Sequence, residues 1–259
     1  MDAGIRRARE ILSEDAAVAL TGSGISVESG VPTFRGEEGL WRRFRPEELA
    51  TPAAFDRDPR LVWEWYAWRR GIVRECRPNA AHRALARWSL DSGGRTVVSQ
   101  NVDGLHVDAH REFADEEAAS GPDRPIELHG SLFRARCTAC RARRRSTEPI
   151  DASSVETLPR CPECGALERP DVVWFGESLE RKALDGAFDA AEGARACLVV
   201  GTSARVQPAA SVAIVASRSG ARLVEVNPES TPLTRIATVS LRRPAGELVP
   251  RILPQRRSG

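Results

Sequence analysis

The residue types that could do chemistry gather in a few places. Cys137, Cys140, Cys161 and Cys164 stand as C-x2-C-x20-C-x2-C, whereas Cys76 and Cys197 lie far from them in apolar segments. Each C-x-x-C turn can offer two thiolates to one ion, and the excursion between the pairs is long enough to fold back as a ribbon. That is the spacing of a structural zinc site. One Zn2+ per chain is expected, and four sulfurs leave no open coordination position for catalysis. A redox role is the weaker alternative, because two pairs at ribbon spacing are unnecessary for it. His129 precedes Cys137 in "ELHGSLFRARCTAC" and is not needed to complete the tetrahedron. It is either a base for proton transfer, with an ordinary pKa of about 6.5, or a hydrogen-bonded structural residue. In "TGSGIS" (21–26), the missing side chains of Gly22 and Gly24 would let backbone N–H groups approach a phosphate, although any tight turn could read the same way.

These groups need elements to position them. Apolar runs at 16–20, 95–99, 196–201 and 222–227 read as buried strands. Helical patterns cover 1–10, 79–90, 208–218 and 245–253. The alternation predicts an α/β fold, a Rossmann-like doubly wound parallel sheet. Ligands bind such sheets at the C-terminal ends of the strands, where "TGSGIS", "SQNVDGLH", "GTS" and "NPES" all fall. Two segments interrupt the alternation: a Trp-rich helical stretch at 34–77 and the cysteine ribbon at 134–171. Together they are expected to form a smaller inserted domain, leaving 1–33, 78–133 and 172–259 to the larger one.

With 259 residues, 41% of them hydrophobic, the chain can bury one large core plus a satellite module. No apolar run reaches the roughly 20 residues of a membrane span, and the charged N-terminus lacks the apolar stretch of a signal peptide. A cytoplasmic protein without a membrane partner is expected; a monomer is the working expectation. The net charge of +2 does not call for a polyanion, and Lys182 is the sole lysine. Arg134, Arg136, Arg141, Arg143, Arg144 and Arg145 make the ribbon locally basic, which could bind nucleic acid but more often marks a solvated face. The acidic stretch at 114–123 reads as an exposed loop.

The glycine turn does not fit the dehydrogenase fingerprint G-x-G-x-x-G, because Val27 stands at the third glycine position. Instead, "TGSGISVESGVPTFRG", "SQNVDGLH", "ELHGSLFRARC", the four cysteines, "RPDVVWFGE", "GTSARVQPAA" and "VEVNPES" resemble, in order and spacing, the successive motifs of the sirtuins, NAD-dependent protein-lysine deacylases. The resemblance spans about 5–253. Ser23, Gln207 and His110 depart from the family's usual alanine, tyrosine and glycine.

The resemblance implies cleavage of NAD at its nicotinamide bond with transfer of the acyl group to the ribose, by way of an alkylamidate. His129 matches the general base and Asn101 orients the ribose or a water. Asp103 takes the nicotinamide carboxamide and Gln100 the ribose hydroxyls, beside Val102. Phe34 covers the reacting ribose, Arg35 lies near the ribose and phosphates, and Ser26 lies beside the pyrophosphate. Gly22, Ser23, Gly24, Ile25, Pro32 and Trp41 complete that side of the NAD site. Gly201, Thr202 and Ser203 meet phosphate or ribose. Asn227, with Pro228 and Glu229, meets the adenosine ribose, and Ala245 the adenine. Val172, Val173, Phe175 and Gly176 would pair with the substrate peptide as an edge strand.

In "VWEWYAWRR", Tyr66 and Arg69 lie three apart and share a helix face. By spacing alone this is as readily a core aromatic beside a solvated arginine. The Y-x-x-R pattern, with Ala50 as the small residue of a wide acyl pocket, resembles the sirtuin branch that removes succinyl and malonyl groups as well as acetyl. A guanidinium grips such a carboxylate through two N–H bonds. The competing functions are an ADP-ribosyltransferase using the same NAD site and a zinc-ribbon nucleic-acid-binding protein.

Overall fold

Short apolar runs that are buried on both faces form parallel strands, and this chain places such runs side by side. The structure, a computed structural model, describes residues 3–32, 46–114 and 124–254. In chain order its elements are α1 (Ala3–Leu12), β1 (Ala17–Thr21), α2 (Pro46–Leu49), α3 (Pro52–Arg57), α4 (Pro59–Glu75), α5 (Ala80–Leu90), β2 (Arg95–Ser99), α6 (Leu105–Arg111), β3 (Ile126–Glu127) and β4 (Gly130–Cys137). They continue with β5 (Arg143–Arg145), β6 (Glu168–Val172), α7 (Arg181–Glu192), β7 (Ala196–Val200), α8 (Ser211–Arg218), β8 (Arg222–Val226), β9 (Val239–Leu241) and α9 (Ala245–Ile252).

The large sheet is parallel throughout, in the order β3-β2-β1-β7-β8-β9. Every residue of β1 and β7 is buried, and Ala17 to Thr21 run in register with Ala196 to Val200. Alternate residues serve opposite layers. Ala17, Ala19, Leu198 and Val200 pack with α1, α5 and α9, while Val18, Leu20, Cys197 and Val199 pack with α7 and α8. The chain order reverses between β1 and β7, the switch point where open α/β sheets take their ligands.

The second sheet is antiparallel, in the order β5-β4-β6. Leu132, Val172 and Trp174 join it to Phe55, Trp63, Trp65 and Tyr66 of α3 and α4. Those helices start where their sequence says they should. Thr51 Oγ1 accepts from Ala54 N at 3.1 Å and Asp58 Oδ1 from Leu61 N at 2.9 Å, each followed by a proline in the first turn.

The expected strands appear within a residue of their predicted ends. The helix expected over 208–218 begins only at Ser211. β4 starts at Gly130, ahead of the ribbon boundary read at 134. β3, β9, α6 and α7 lie outside the elements expected above: the two strands are two and three residues long, whereas α7 went unread although Leu184, Ala187, Phe188 and Ala191 stand at helical spacing.

Candidate active site and metal centre

At the switch point the turns after β1 and β7 touch. Gly22 N donates to Val200 O at 3.0 Å and Gly24 N to Gly201 O at 2.8 Å. A Cβ on Gly24 would stand 2.7 Å from Gly201 O, and one on Gly22 would stand 2.7 Å from Thr202 Cβ. This is the tight-turn alternative that the sequence left open. Both amides are consumed within the protein, and the missing side chains let two turns pack together. Ser23, Gly24 and Ile25 follow in a 3-10 turn that leaves Ser23 and Gly24 part-exposed on this rim.

Beneath the turn lies a buried polar floor. Ser26 Oγ donates to Asp103 Oδ2 at 2.7 Å and accepts from Asn101 Nδ2 at 3.2 Å. His82 Nδ1 accepts from Asn79 N, so in neutral His82 the proton sits on Nε2, which donates to Ser26 Oγ at 3.4 Å. One donor and two acceptor sites are thus all used, and Ser26 orders Asn101 and Asp103 without spare capacity for a phosphate. Asn101 Nδ2 also reaches Gly22 O at 3.2 Å, while Asp103 Oδ1 accepts from Leu105 N. Burial raises the Asp103 pKa, opposed by its bonds to Leu105 N and Ser26. His106 joins from below through Thr21 Oγ1 at 2.9 Å, its ring 4.7 Å from that of His82. Sequence reasoning missed both histidines. His82 was detectable as the third residue of the capping box that opens α5. Burial drives His82 down to about 2, helped by the charges of His106 and Arg83, and His106 down to about 4.

His129 stands where the two sheets meet. Leu128 N bonds Ser99 O of the large sheet, His129 O accepts from Val173 N beyond β6, and His129 Nδ1 lies 2.7 Å from Gln100 O. A carbonyl can only accept, so Nδ1 carries the proton and Nε2 is the basic atom. The ring is part-exposed; burial lowers its pKa against the raising effect of the Gln100 carbonyl. At Gly130, φ is +80° and a Cβ would stand 2.1 Å from Asp171 O, so the chain can turn into β4 only with glycine here. Gln100 Nε2 bonds Thr21 O and Thr202 Oγ1, and Val102 O accepts from Leu132 N. Across the sheet, Asn227 Nδ2 donates to Thr202 O at 2.8 Å; Ser203, Pro228 and Glu229 are exposed, and buried Ala245 opens α9.

Tyr66 and Arg69 share one face of α4. Tyr66 is buried and its hydroxyl accepts from Trp174 Nε1 at 2.9 Å; burial pushes its pKa up to about 12. The Arg69 guanidinium lies over the Trp65 ring at 4.9 Å, beside Pro32, and its pKa is lowered by burial and raised by Tyr66 and Asp103. Ala50, buried, receives Phe175 N on its carbonyl at 2.9 Å. β6 is an edge strand, but the Val173, Trp174 and Phe175 amides already donate to His129 O, Glu177 Oε2 and Ala50 O. Val172 ends β6 and Gly176 is exposed with φ +84°. Phe34, Arg35 and Trp41 lie outside the described residues.

The four ribbon sulfurs all lie within 4.8 Å of one another, with Cys137 to Cys164 at 3.4 Å and Cys140 to Cys161 at 3.6 Å. Zn–S bonds of about 2.3 Å set tetrahedral edges near 3.8 Å, so the donor set fits one zinc, and disulfide contact is far shorter. Most of the ribbon's arginines are neutralised. Arg134 pairs with Glu127 at 2.6 Å, Arg136 with Glu177 at 3.5 Å, Arg143 with Glu180 at 2.7 Å and Arg144 with Glu168 at 2.5 Å.

Comparison with known proteins agrees with this arrangement. The family model described as Sir2 family matches residues 22–208. An NAD-dependent protein deacylase of Pyrococcus abyssi is 49% identical over 250 residues, 95% of each chain. Another, of Thermus thermophilus, is 50% identical over 255 residues, 96% of this chain and 94% of that one. The crystal structure of a Sir2 homologue in complex with NAD superposes with a TM-score of 0.85 at 44% identity, covering 97% of this chain and 92% of that one. A Sir2 protein with a deacetylated peptide and 3'-O-acetyl ADP ribose gives a TM-score of 0.79 at 31% identity, covering 96% of both.

Proposed function

The chain belongs to the Sir2 family, and from that premise we propose that it removes acyl groups from protein lysines at the expense of NAD, accepting succinyl and malonyl as well as acetyl groups. The observation that carries the reading is His129 at the seam of the two sheets, its Nδ1 locked on Gln100 O and its Nε2 left basic. NAD lies across the β1/β7 switch point, and the substrate peptide lies along residues 172–176, where the chain leaves β6. When bound there, NAD would supply the ribose carbon that bonds to the acyl oxygen as nicotinamide departs, and the ribose hydroxyl that keeps the acyl group when the lysine amine is released, with water completing the exchange.

Asp103, ordered by Ser26, accepts from the nicotinamide carboxamide. Both amide hydrogens of Asn101 are used on Gly22 O and Ser26, which leaves its Oδ1 to accept from a ribose hydroxyl or a water. His129 Nε2 takes the proton of a ribose hydroxyl. Its lowered pKa keeps the ring unprotonated at neutrality. Gln100, Thr202 and Ser203 line the ribose and phosphates, and Asn227 with its loop and Ala245 hold the adenosine. All three amides at 173–175 are occupied, so the peptide strand donates to carbonyls there and gains affinity with little side-chain preference.

Arg69, with the Tyr66 hydroxyl beside it and Ala50 leaving room, receives the carboxylate of an acidic acyl group. Among the described residues, the larger NAD-binding domain comprises 3–32, 78–129 and 173–254; the smaller one, with all of β4 and β6, comprises 46–77 and 130–172 and supplies the acyl pocket. A panel of acetyl-, malonyl- and succinyl-lysine peptides incubated with NAD and read by mass tests the proposal. Nicotinamide release is expected only with acylated peptide, with matching acyl-ADP-ribose. Release that ignores the peptide and labels protein instead would replace the deacylase reading with ADP-ribosyl transfer.

A further inference from the structure

Strand β8 reads RLVEV, and Glu225 within it is 0% exposed. A charge at the centre of a parallel sheet contradicts the local pattern, and an apolar residue would pack there without the cost of desolvation. Its surroundings supply a reason. Glu225 Oε1 accepts from Thr231 Oγ1 at 2.5 Å, and Oε2 accepts from Thr234 Oγ1 at 2.8 Å and from Ser240 Oγ at 2.7 Å. Arg242 Nη2 lies 3.0 Å from the same oxygen. Burial pushes the carboxyl pKa up, but Thr231, Ser240, Thr234 and Arg242 together bring it below the ordinary value, so the group is ionised.

Each partner belongs to the segment that runs from the end of β8 round to β9. Thr231 and Thr234 form the capping box of the short helix Pro232–Arg235, and Ser240 lies on β9. Arg242 carries the restraint further: its Nη1 donates to Glu229 O at 2.7 Å and to Asn227 O at 3.2 Å. Asn227 in turn holds Thr202 O, and Thr202 Oγ1 receives Gln100 Nε2. A single buried carboxylate thus ties the loop after β8 to the sheet and, through Asn227, to the turn after β7.

We propose that Glu225 is a positioning residue for the NAD reaction, holding the loop of Asn227 and Glu229 in the geometry that receives the adenosine end of the dinucleotide. The inference rests on the assignment of that loop to NAD. Glu225 touches no substrate, and its effect passes through Thr231, Ser240 and Arg242.

Steady-state kinetics on Glu225→Leu, Glu225→Gln and Asn227→Ala, with NAD and an acyl-lysine peptide varied separately, test it. Glu225→Leu should raise KM for NAD by about tenfold or more, while kcat at saturating NAD and KM for peptide stay within roughly threefold. Its melting temperature should fall, since Thr231, Thr234, Ser240 and Arg242 lose their shared acceptor, but kcat and KM for peptide should not follow it. Glu225→Gln keeps one acceptor oxygen for the hydroxyls and should recover part of the NAD affinity. Calorimetric titration with ADP-ribose should follow the same order. Unchanged KM for NAD in Glu225→Leu, with Asn227→Ala raising it, overturns the inference alone. Unchanged KM in Asn227→Ala overturns the loop assignment and the inference with it. If Glu225→Leu fails to fold, Glu225→Gln decides: a wild-type KM for NAD rejects the role. A parallel loss of kcat, both KM values and melting temperature marks Glu225 as a support of the fold only.

Discussion

In the large sheet, Ala17, Ala19, Leu198 and Val200 face one layer of helices and Val18, Leu20, Cys197 and Val199 face the other. Apolar burial closes it on both sides. The small sheet has α3 and α4 against Leu132 and Val172, while its strands carry Arg134, Arg136, Arg143 and Arg144, matched to Glu127, Glu177, Glu180 and Glu168. Such pairs are individually weak where they meet solvent. The small sheet therefore depends on its four thiolates in a way the large one does not, and a sheet short of apolar area can still position a site if a metal closes it. His129, bonded to both sheets, is where the two regimes meet.

Removing the metal should separate the sheets most sharply. Structural zinc contributes roughly 10–16 kcal/mol in small metal-dependent folds. Cys161→Ser or chelation should therefore abolish hydrogen-exchange protection over 130–172 while β1 and β7 keep theirs, and activity should vanish. Equal loss of protection in both sheets would dissolve the contrast.

At the seam, His129→Ala should lower kcat by about 10²- to 10⁴-fold, the usual worth of a general base. ADP-ribose affinity by calorimetry should stay within a few fold, because the dinucleotide is held by the large sheet. Near-normal turnover would return His129 to a structural role.

Within the small module, Arg69→Met should erase about 2–5 kcal/mol of preference for succinyl- over acetyl-peptides, the scale for breaking one side of a buried charge pair. Deacetylation should fall much less, read as kcat/KM on matched peptides. Equal loss on both would make Arg69 a support for Trp65 and Tyr66 and not a reader of the acyl group.

The smallest effect concerns the large sheet's polar floor. His82 and His106 are held neutral, with folded pKa values of about 2 and about 4, below the unfolded value near 6.5. Their contribution is complete above pH 6.5 and is lost as pH falls through that window. His106 alone should contribute about 2 kcal/mol less at pH 5 than at pH 7. Melting temperatures should be level above pH 7 and decline below 6.5, and His106→Gln should flatten that decline. An identical decline in the variant would place the acid sensitivity elsewhere.

Period-two and period-3.6 patterns, glycine turns and C-x-x-C spacing are local properties, so the sequence by itself determined the parallel strands, most of their helices, the cysteine ribbon and the order of the polar clusters. Four elements escaped: β3 and β9 are too short to show a period, α6 spans only seven residues, and α7 was passed over although Leu184, Ala187, Phe188 and Ala191 stand at helical spacing. What the polar residues do to one another was decided only in three dimensions. Ser26 and Asp103, or His82 and Ser26, are far apart in the chain and meet because β1 and β2 pair in register beside α5. The same distance explains why the sequence could not choose between two readings of Gly22 and Gly24: a turn after one strand cannot reveal that a second turn, at Gly201 and Thr202, will fill the space a side chain would need. Glu225 makes the point from the other side. In sequence it is an anomaly in a strand, and its purpose appears only when folding brings Thr231, Thr234, Ser240 and Arg242 around it. Burial alone makes an unpaired charge untenable, and only tertiary structure can supply the partners.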